Sequence, residues 1–172
     1  MKNIYLVGMP GCGKSTIGNA VSKKIGIEII DLDELVMERE GKSIEELFAI
    51  GEAHFRAVEA EALKSLENYE GVMVATGGGV VTKEENIEFM KKDGKVIFID
   101  ASPNFILENS PLDGRPLLKN KEKIYELYNS RIAKYRKSAD YTVPNDGILS
   151  DAIKKTEELI RIIIKKGAYN ET

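Results

Sequence analysis

The sequence predicts an α/β fold with three layers, α/β/α, built on a central five-stranded parallel sheet. Short apolar runs alternate with amphipathic helical stretches along the whole chain, which is the rhythm of βα units joined in parallel. The first apolar run passes through a glycine-rich turn straight into a helical pattern, as a strand–loop–helix unit does. The 172 residues, 42% hydrophobic and 31% charged, fit one domain able to bury a substantial core. A single domain over 1–172 is expected, with no repeat, linker or low-complexity segment.

The elements follow in order. Ile4-Tyr5-Leu6-Val7 reads as a buried strand, and a helix over 15–25 ends at Gly26, a suitable glycine for a left-handed helix stop. A strand at 28–31 leads to a helix over 33–40 before Gly41. Ser43-Ile44-Glu45-Glu46 has the S-x-x-E spacing of a capping box. Over 52–67, Phe55, Val58, Ala62 and Leu66 recur at helical spacing. A third strand covers 72–76, and Thr82 is placed to cap a helix over 83–92 that stops at Asp93-Gly94. The fourth strand covers 96–100. Residues 109–121 break the rhythm with Pro111, Asp113-Gly114 and Pro116. A loop of that length reads as a lid, and its Arg115 suits a cation carried to transferring phosphates, the plainer alternative being a solvated connection. A helix over 122–137, a weaker strand at 140–143 and a helix over 149–166 complete the chain.

Composition narrows the function. A net charge of -3, from 25 basic and 28 acidic residues, gives no basic surface for nucleic acid or an anionic membrane. No apolar run approaches the roughly 20 residues that span a bilayer. The chain enters its first strand at once, so no signal peptide is expected. Cys12 is the sole cysteine, so no internal disulfide is possible and a reducing cytoplasm is the expected setting. Cys12 reads as a small space-filling residue rather than a redox switch. His54 is the only histidine and reads as a surface or packing residue, not a zinc ligand. No apolar stripe is left over, so a monomer is expected.

The chemistry starts at Gly8-Met9-Pro10-Gly11-Cys12-Gly13-Lys14-Ser15, a G-x-x-x-x-G-K-S loop. Its glycines let successive N–H groups point at phosphate oxygens, with the helix dipole behind them. Gly11, Cys12, Gly13, Lys14, Ser15 and Thr16 are thus candidate ATP-binding residues. Lys14 can reach the β/γ-phosphates, and the Ser15 hydroxyl suits Mg²⁺. Asp31-Leu32-Asp33 lies at the end of the second strand, where ligands of α/β folds bind. Strand alternation sends both carboxylates to one side, toward a metal and a substrate hydroxyl; a helix cap is the alternative role of Asp33. Arg56 and Glu59 are three apart on a helix, an ion pair that could also hold a guanidinium ready for a substrate carboxylate. Gly77-Gly78-Gly79 follows the third strand and opens the backbone to a small ligand, or else makes a flexible turn. Arg131, taken alone, reads as solvated helix surface.

The order and spacing of these landmarks resemble the shikimate kinase family, within the nucleoside-monophosphate-kinase-like branch of P-loop folds. The matching residues are G-M-P-G-C-G-K-S-T-I-G at 8–18, D-L-D at 31–33, F-R-x-x-E at 55–59, G-G-G at 77–79, R-P-L-L at 115–118 and R-x-x-x-Y at 131–135. The resemblance implies an ATP-dependent kinase that moves the γ-phosphoryl group to the 3-hydroxyl of shikimate, on the route to chorismate and the aromatic amino acids. By that resemblance Asp33 binds and helps deprotonate the attacking hydroxyl, and Arg56 and Arg131 hold the substrate carboxylate. Gly78 gives a backbone contact, Ser15 and Asp31 serve Mg²⁺, and Lys14 and Arg115 neutralise the transferring group.

The likeness breaks on the base side. Many members place an adenine-stacking arginine before the lid, where this chain has Phe105-Ile106-Leu107-Glu108-Asn109; the loop at 144–147 is short and carries no basic residue. Weaker and less selective adenine binding is expected. Gluconate and small nucleotide kinases share the loop and lid but not the set Asp33, Arg56, triple glycine and Arg131. A nucleotide switch needs ordered segments around the γ-phosphate, not a second anion site.

Overall fold

Five consecutive residues of β1 (Asn3–Val7) are buried, so both faces of this strand are covered. Such a run without alternation is what a central parallel strand requires. In the computed structural model, which describes residues 2–109 and 121–169 with side chains through 166, β1 is the middle of the sheet. The order is β2-β3-β1-β4-β5, with β2 (Ile29–Asp31), β3 (Met73–Ala75), β4 (Gly94–Asp100) and β5 (Tyr141–Pro144). Every pairing is parallel, with Leu6 opposite Ala75 on one side and Ile97 on the other. The predicted five-stranded parallel architecture is therefore the observed one, with strand ends shifted by one or two residues.

Neighbouring residues of β1 sort the helices into two layers. Leu6 faces α1 (Lys14–Ile25) so closely that a methyl on Gly18 would stand 3.1 Å from its Cδ1 and 2.6 Å from Cδ1 of Ile29. Tyr5 points the other way, its ring edge-on to Phe89 of α5 (Glu84–Asp93) at 6.4 Å. Phe98 lies on the Tyr5 side by strand register and stacks on Tyr135 of α7 (Lys121–Ser138). Thus α5 and α7 cover one face, and α1, packed on α8 (Leu149–Tyr169), covers the other. Between β2 and β3, α2 (Leu32–Glu40), α3 (Ile44–Ile50) and α4 (Glu52–Lys64) pack on one another.

The expected capping box is present: Ser43 accepts from the Glu46 N–H at 3.2 Å, and the Ser43 N–H donates to the Glu46 carboxylate at 2.7 Å. Three local expectations need correction. Thr82 does not cap α5; it closes a 3₁₀ turn (Val80–Thr82), its hydroxyl donating to the Gly79 carbonyl at 2.6 Å, and Lys83 takes the cap position. The helix expected to 67 ends at Lys64, its last turn tightening to 3₁₀ (Ser65–Asn68). Residues 103–109, read without an element, form α6 (Pro103–Asn109). Of the lid expected at 109–121, residues 110–120, Arg115 among them, lie outside the described residues.

Candidate active site

The loop between β1 and α1 holds its shape through glycine and through the neighbouring strand ends. Gly11 and Gly13 sit at φ +80° and +95°, values that L side chains resist. The Cys12 N–H donates to the Met9 carbonyl at 3.1 Å, and the buried Asn145 amide, beyond β5, donates to the Cys12 carbonyl at 2.8 Å. The Cys12 side chain is buried, in keeping with a space-filling role. Lys14 is 7% exposed; its ammonium donates to the carbonyls of Gly8 and Met9, each at 2.8 Å. It is thereby held across the mouth of the loop. The first turn of α1 has no acidic residue and no side-chain cap, so its donors and positive dipole end suit an anion. Thr16 is exposed on the same turn.

Asp31 does two jobs. Its Oδ1 caps α2, accepting from the N–H groups of Asp33 at 2.9 Å and Glu34 at 3.3 Å. Its Oδ2 accepts from the Ser15 hydroxyl at 3.2 Å. The helix cap is therefore Asp31, not Asp33, and α2 starts at Leu32. The alternation argument for Asp31 and Asp33 fails because the strand stops between them. Ser15 and Asp31 open on a cleft also lined by Asn19 and Glu34. The donors are hard oxygens, few in number, which fits Mg²⁺ completed by water and phosphate. Among the described residues no group of three or more His, Cys, Asp or Glu side chains converges on a point.

Gly77-Gly78-Gly79 is where the other candidates meet. A methyl on Gly77 would stand 2.9 Å from Oδ1 of Asp33 and 2.9 Å from Oε1 of Glu59. On Gly78 it would stand 2.5 Å from Cδ of Pro10, in the phosphate loop, and on Gly79 2.1 Å from Nη2 of Arg56. Three glycines are needed because three groups press on the turn from different sides. The flexible-turn alternative fails for the same reason.

Arg56 is fixed on several sides. Nη1 bonds Oε2 of Glu59 at 2.8 Å, and the guanidinium carbon lies 5.1 Å and 5.7 Å from the ring centres of Phe55 and Phe48. Glu59 is fully buried, and burial pushes its carboxyl above the usual range; Arg56 opposes that rise, nearby Asp33 adds to it, and Arg131 opposes it. Arg131 is itself only 9% exposed, so it is not solvated surface. Tyr135, one turn further along α7, donates its hydroxyl to the Gly78 carbonyl.

The structure thus brings Asp33, Arg56, Gly78 and Arg131 to one place beside the loop that carries Lys14 and Ser15. His54 is exposed and plays no part. Three contributors escaped the sequence reading: Asn145 behind the loop, Pro10 against Gly78, and Phe48 stacked on Phe55 at 4.3 Å. Phe48 had a signal, since it falls on the apolar stretch after the capping box. Asn145 and Pro10 had none, because their partners lie far away in the chain.

The model of the family described as Shikimate kinase matches residues 10–164. The chain is 46% identical over 162 residues to the shikimate kinase of Clostridium botulinum (strain Alaska E43 / Type E3), covering 93% of this chain and 98% of that one. It is 40% identical to the shikimate kinase of Clostridium beijerinckii over 93% and 96% of the two chains. Among solved structures, shikimate kinase from Acinetobacter baumannii in complex with shikimate superposes with a TM-score of 0.86 at 31% identity, over 96% and 94% of the two chains. The Aquifex aeolicus shikimate kinase gives 0.80 at 38% identity, over 96% and 98%.

Proposed function

This chain belongs to the shikimate kinase family, and we propose that it transfers the γ-phosphoryl group of ATP to the 3-hydroxyl of shikimate, giving shikimate 3-phosphate and ADP. The product feeds the route to chorismate and the aromatic amino acids. The observation that carries this reading is the triple glycine, which packs against Asp33, the Glu59-held Arg56 and Pro10 of the phosphate loop. A hydroxylated carboxylic acid bound there would present its alcohol to the terminal phosphate.

Phosphoryl transfer asks for positioning and charge stabilisation more than for covalent help from the protein. The loop N–H groups of Gly11, Cys12 and Gly13, with Ser15 and Thr16 at the helix start, would hold the triphosphate. Arg56 and Arg131 would grip the shikimate carboxylate, and the backbone at Gly78 would bear on the ring. Asp33 would accept the 3-hydroxyl proton as that oxygen bonds to the γ-phosphorus and the bond to the β-phosphate oxygen breaks. Lys14, swinging from its carbonyl partners, and Arg115 would balance the charge that builds on the departing oxygens. Ser15 and Asp31 are the groups that would hold Mg²⁺, which when bound screens the phosphate charges.

No described helix is long and apolar enough to cross a membrane. Our reading is a cytoplasmic monomer acting on small molecules, without nucleic acid or membrane partners. A coupled ADP assay tests the activity: ADP release should require both Mg²⁺ and shikimate. Release that ignores shikimate would refute it.

A further inference from the structure

Tyr135 stands at the centre of the acceptor half without facing a reacting group. It is fully buried, and its ring lies on Phe98 of β4, centroids 5.2 Å apart and planes within 14°. That stack leaves the ring no room to swing. It lies four residues after Arg131, on the same helix face. Its hydroxyl donates to the Gly78 carbonyl, and the Arg131 charge is felt at the same phenol. The proton direction follows from the groups themselves. A carbonyl can only accept, so the single hydroxyl proton goes to Gly78.

We propose that Tyr135 is a positioning residue of the acceptor site, its hydroxyl holding the Gly78–Gly79 peptide in one orientation. The idea rests on the shikimate reading above and adds a residue to it. A trans peptide is planar, so turning the Gly78 carbonyl toward Tyr135 turns the Gly79 N–H the opposite way. Val80 and Thr82 donate to the carbonyls of Gly77 and Gly79, whereas the Gly78 carbonyl between them is held by the Tyr135 hydroxyl. Burial holds the phenol well above its ordinary range, so it stays a donor throughout the working pH range.

Tyr135→Phe keeps the ring stack and removes only the hydroxyl. Its KM for shikimate should rise about tenfold, the worth of one lost buried hydrogen bond, while KM for ATP stays within about twofold and kcat falls less than KM rises. Unchanged shikimate KM, or an equal rise in both KM values, would overturn the role. 3-Fluorotyrosine at position 135 gives a second readout that keeps the hydroxyl: its ¹⁹F resonance should move with shikimate and not with ADP, and a resonance indifferent to shikimate would also overturn it. Failure of the substrate reading looks different, since the unmodified enzyme would then release no shikimate-dependent ADP and the role would fall with it.

Discussion

Arg56 and Gly79 are so close that a single carbon atom decides whether the guanidinium can stay where it is. Gly79→Ala should displace Arg56 and raise the shikimate KM by at least about tenfold, with ATP KM little changed, as steady-state kinetics would record. Glu59 carries a second residue-scale consequence. Its carboxyl titrates above the ordinary range because it is buried, so the folded protein holds the proton where the unfolded chain has already lost it. Stability from this group is complete below the ordinary carboxylate value and is lost as pH rises through the raised one. Glu59→Gln, which never ionises, should flatten that decline, and urea unfolding at a series of pH values would show the difference between the two proteins. The pair Arg56–Glu59 was legible in the sequence by its spacing. The depth of its burial was not, because burial depends on α2 and Gly77 closing over it.

At the scale of elements, one carboxylate serves both a helix and a cleft. Asp31 caps α2 through Oδ1 and meets Ser15 through Oδ2. Asp31→Asn leaves a capping oxygen, so the melting temperature should change little. It removes the charge, so the Mg²⁺ concentration for half-maximal activity should rise about tenfold. A fall in stability with no change in Mg²⁺ demand would assign Asp31 to the cap alone. Local signals for such elements were uneven. Ser43 and Glu46 announced α3, whereas α6 was missed although Ser102 caps it, accepting from the Phe105 N–H at 3.2 Å, and Pro103 opens it. Thr82 looked like a cap and was drawn instead into the turn made by the three glycines, a tertiary demand overriding a local preference.

For the molecule as a whole, the phosphate side is built from three strand ends, and among the described residues little is offered to the base. Asn145 fastens the loop after β5 to the Cys12 carbonyl, yet neither that loop nor 105–109 offers an arginine to a purine. GTP and CTP should therefore replace ATP as donors with losses of about tenfold or less, judged by kcat/KM in the ADP assay. Strict ATP dependence with a low-micromolar KM would contradict this. The sequence by itself determined the alternation of strands and helices, the phosphate loop and the carboxylates and arginines to watch, because each rests on spacing within a few residues. Only the tertiary structure decided that Pro10 meets Gly78, that Asn145 braces the loop, and that Tyr135 reaches the Gly78 carbonyl. Those contacts span stretches of chain from 57 to 133 residues, and what closes such distances is the packing of a parallel sheet, which no local pattern records.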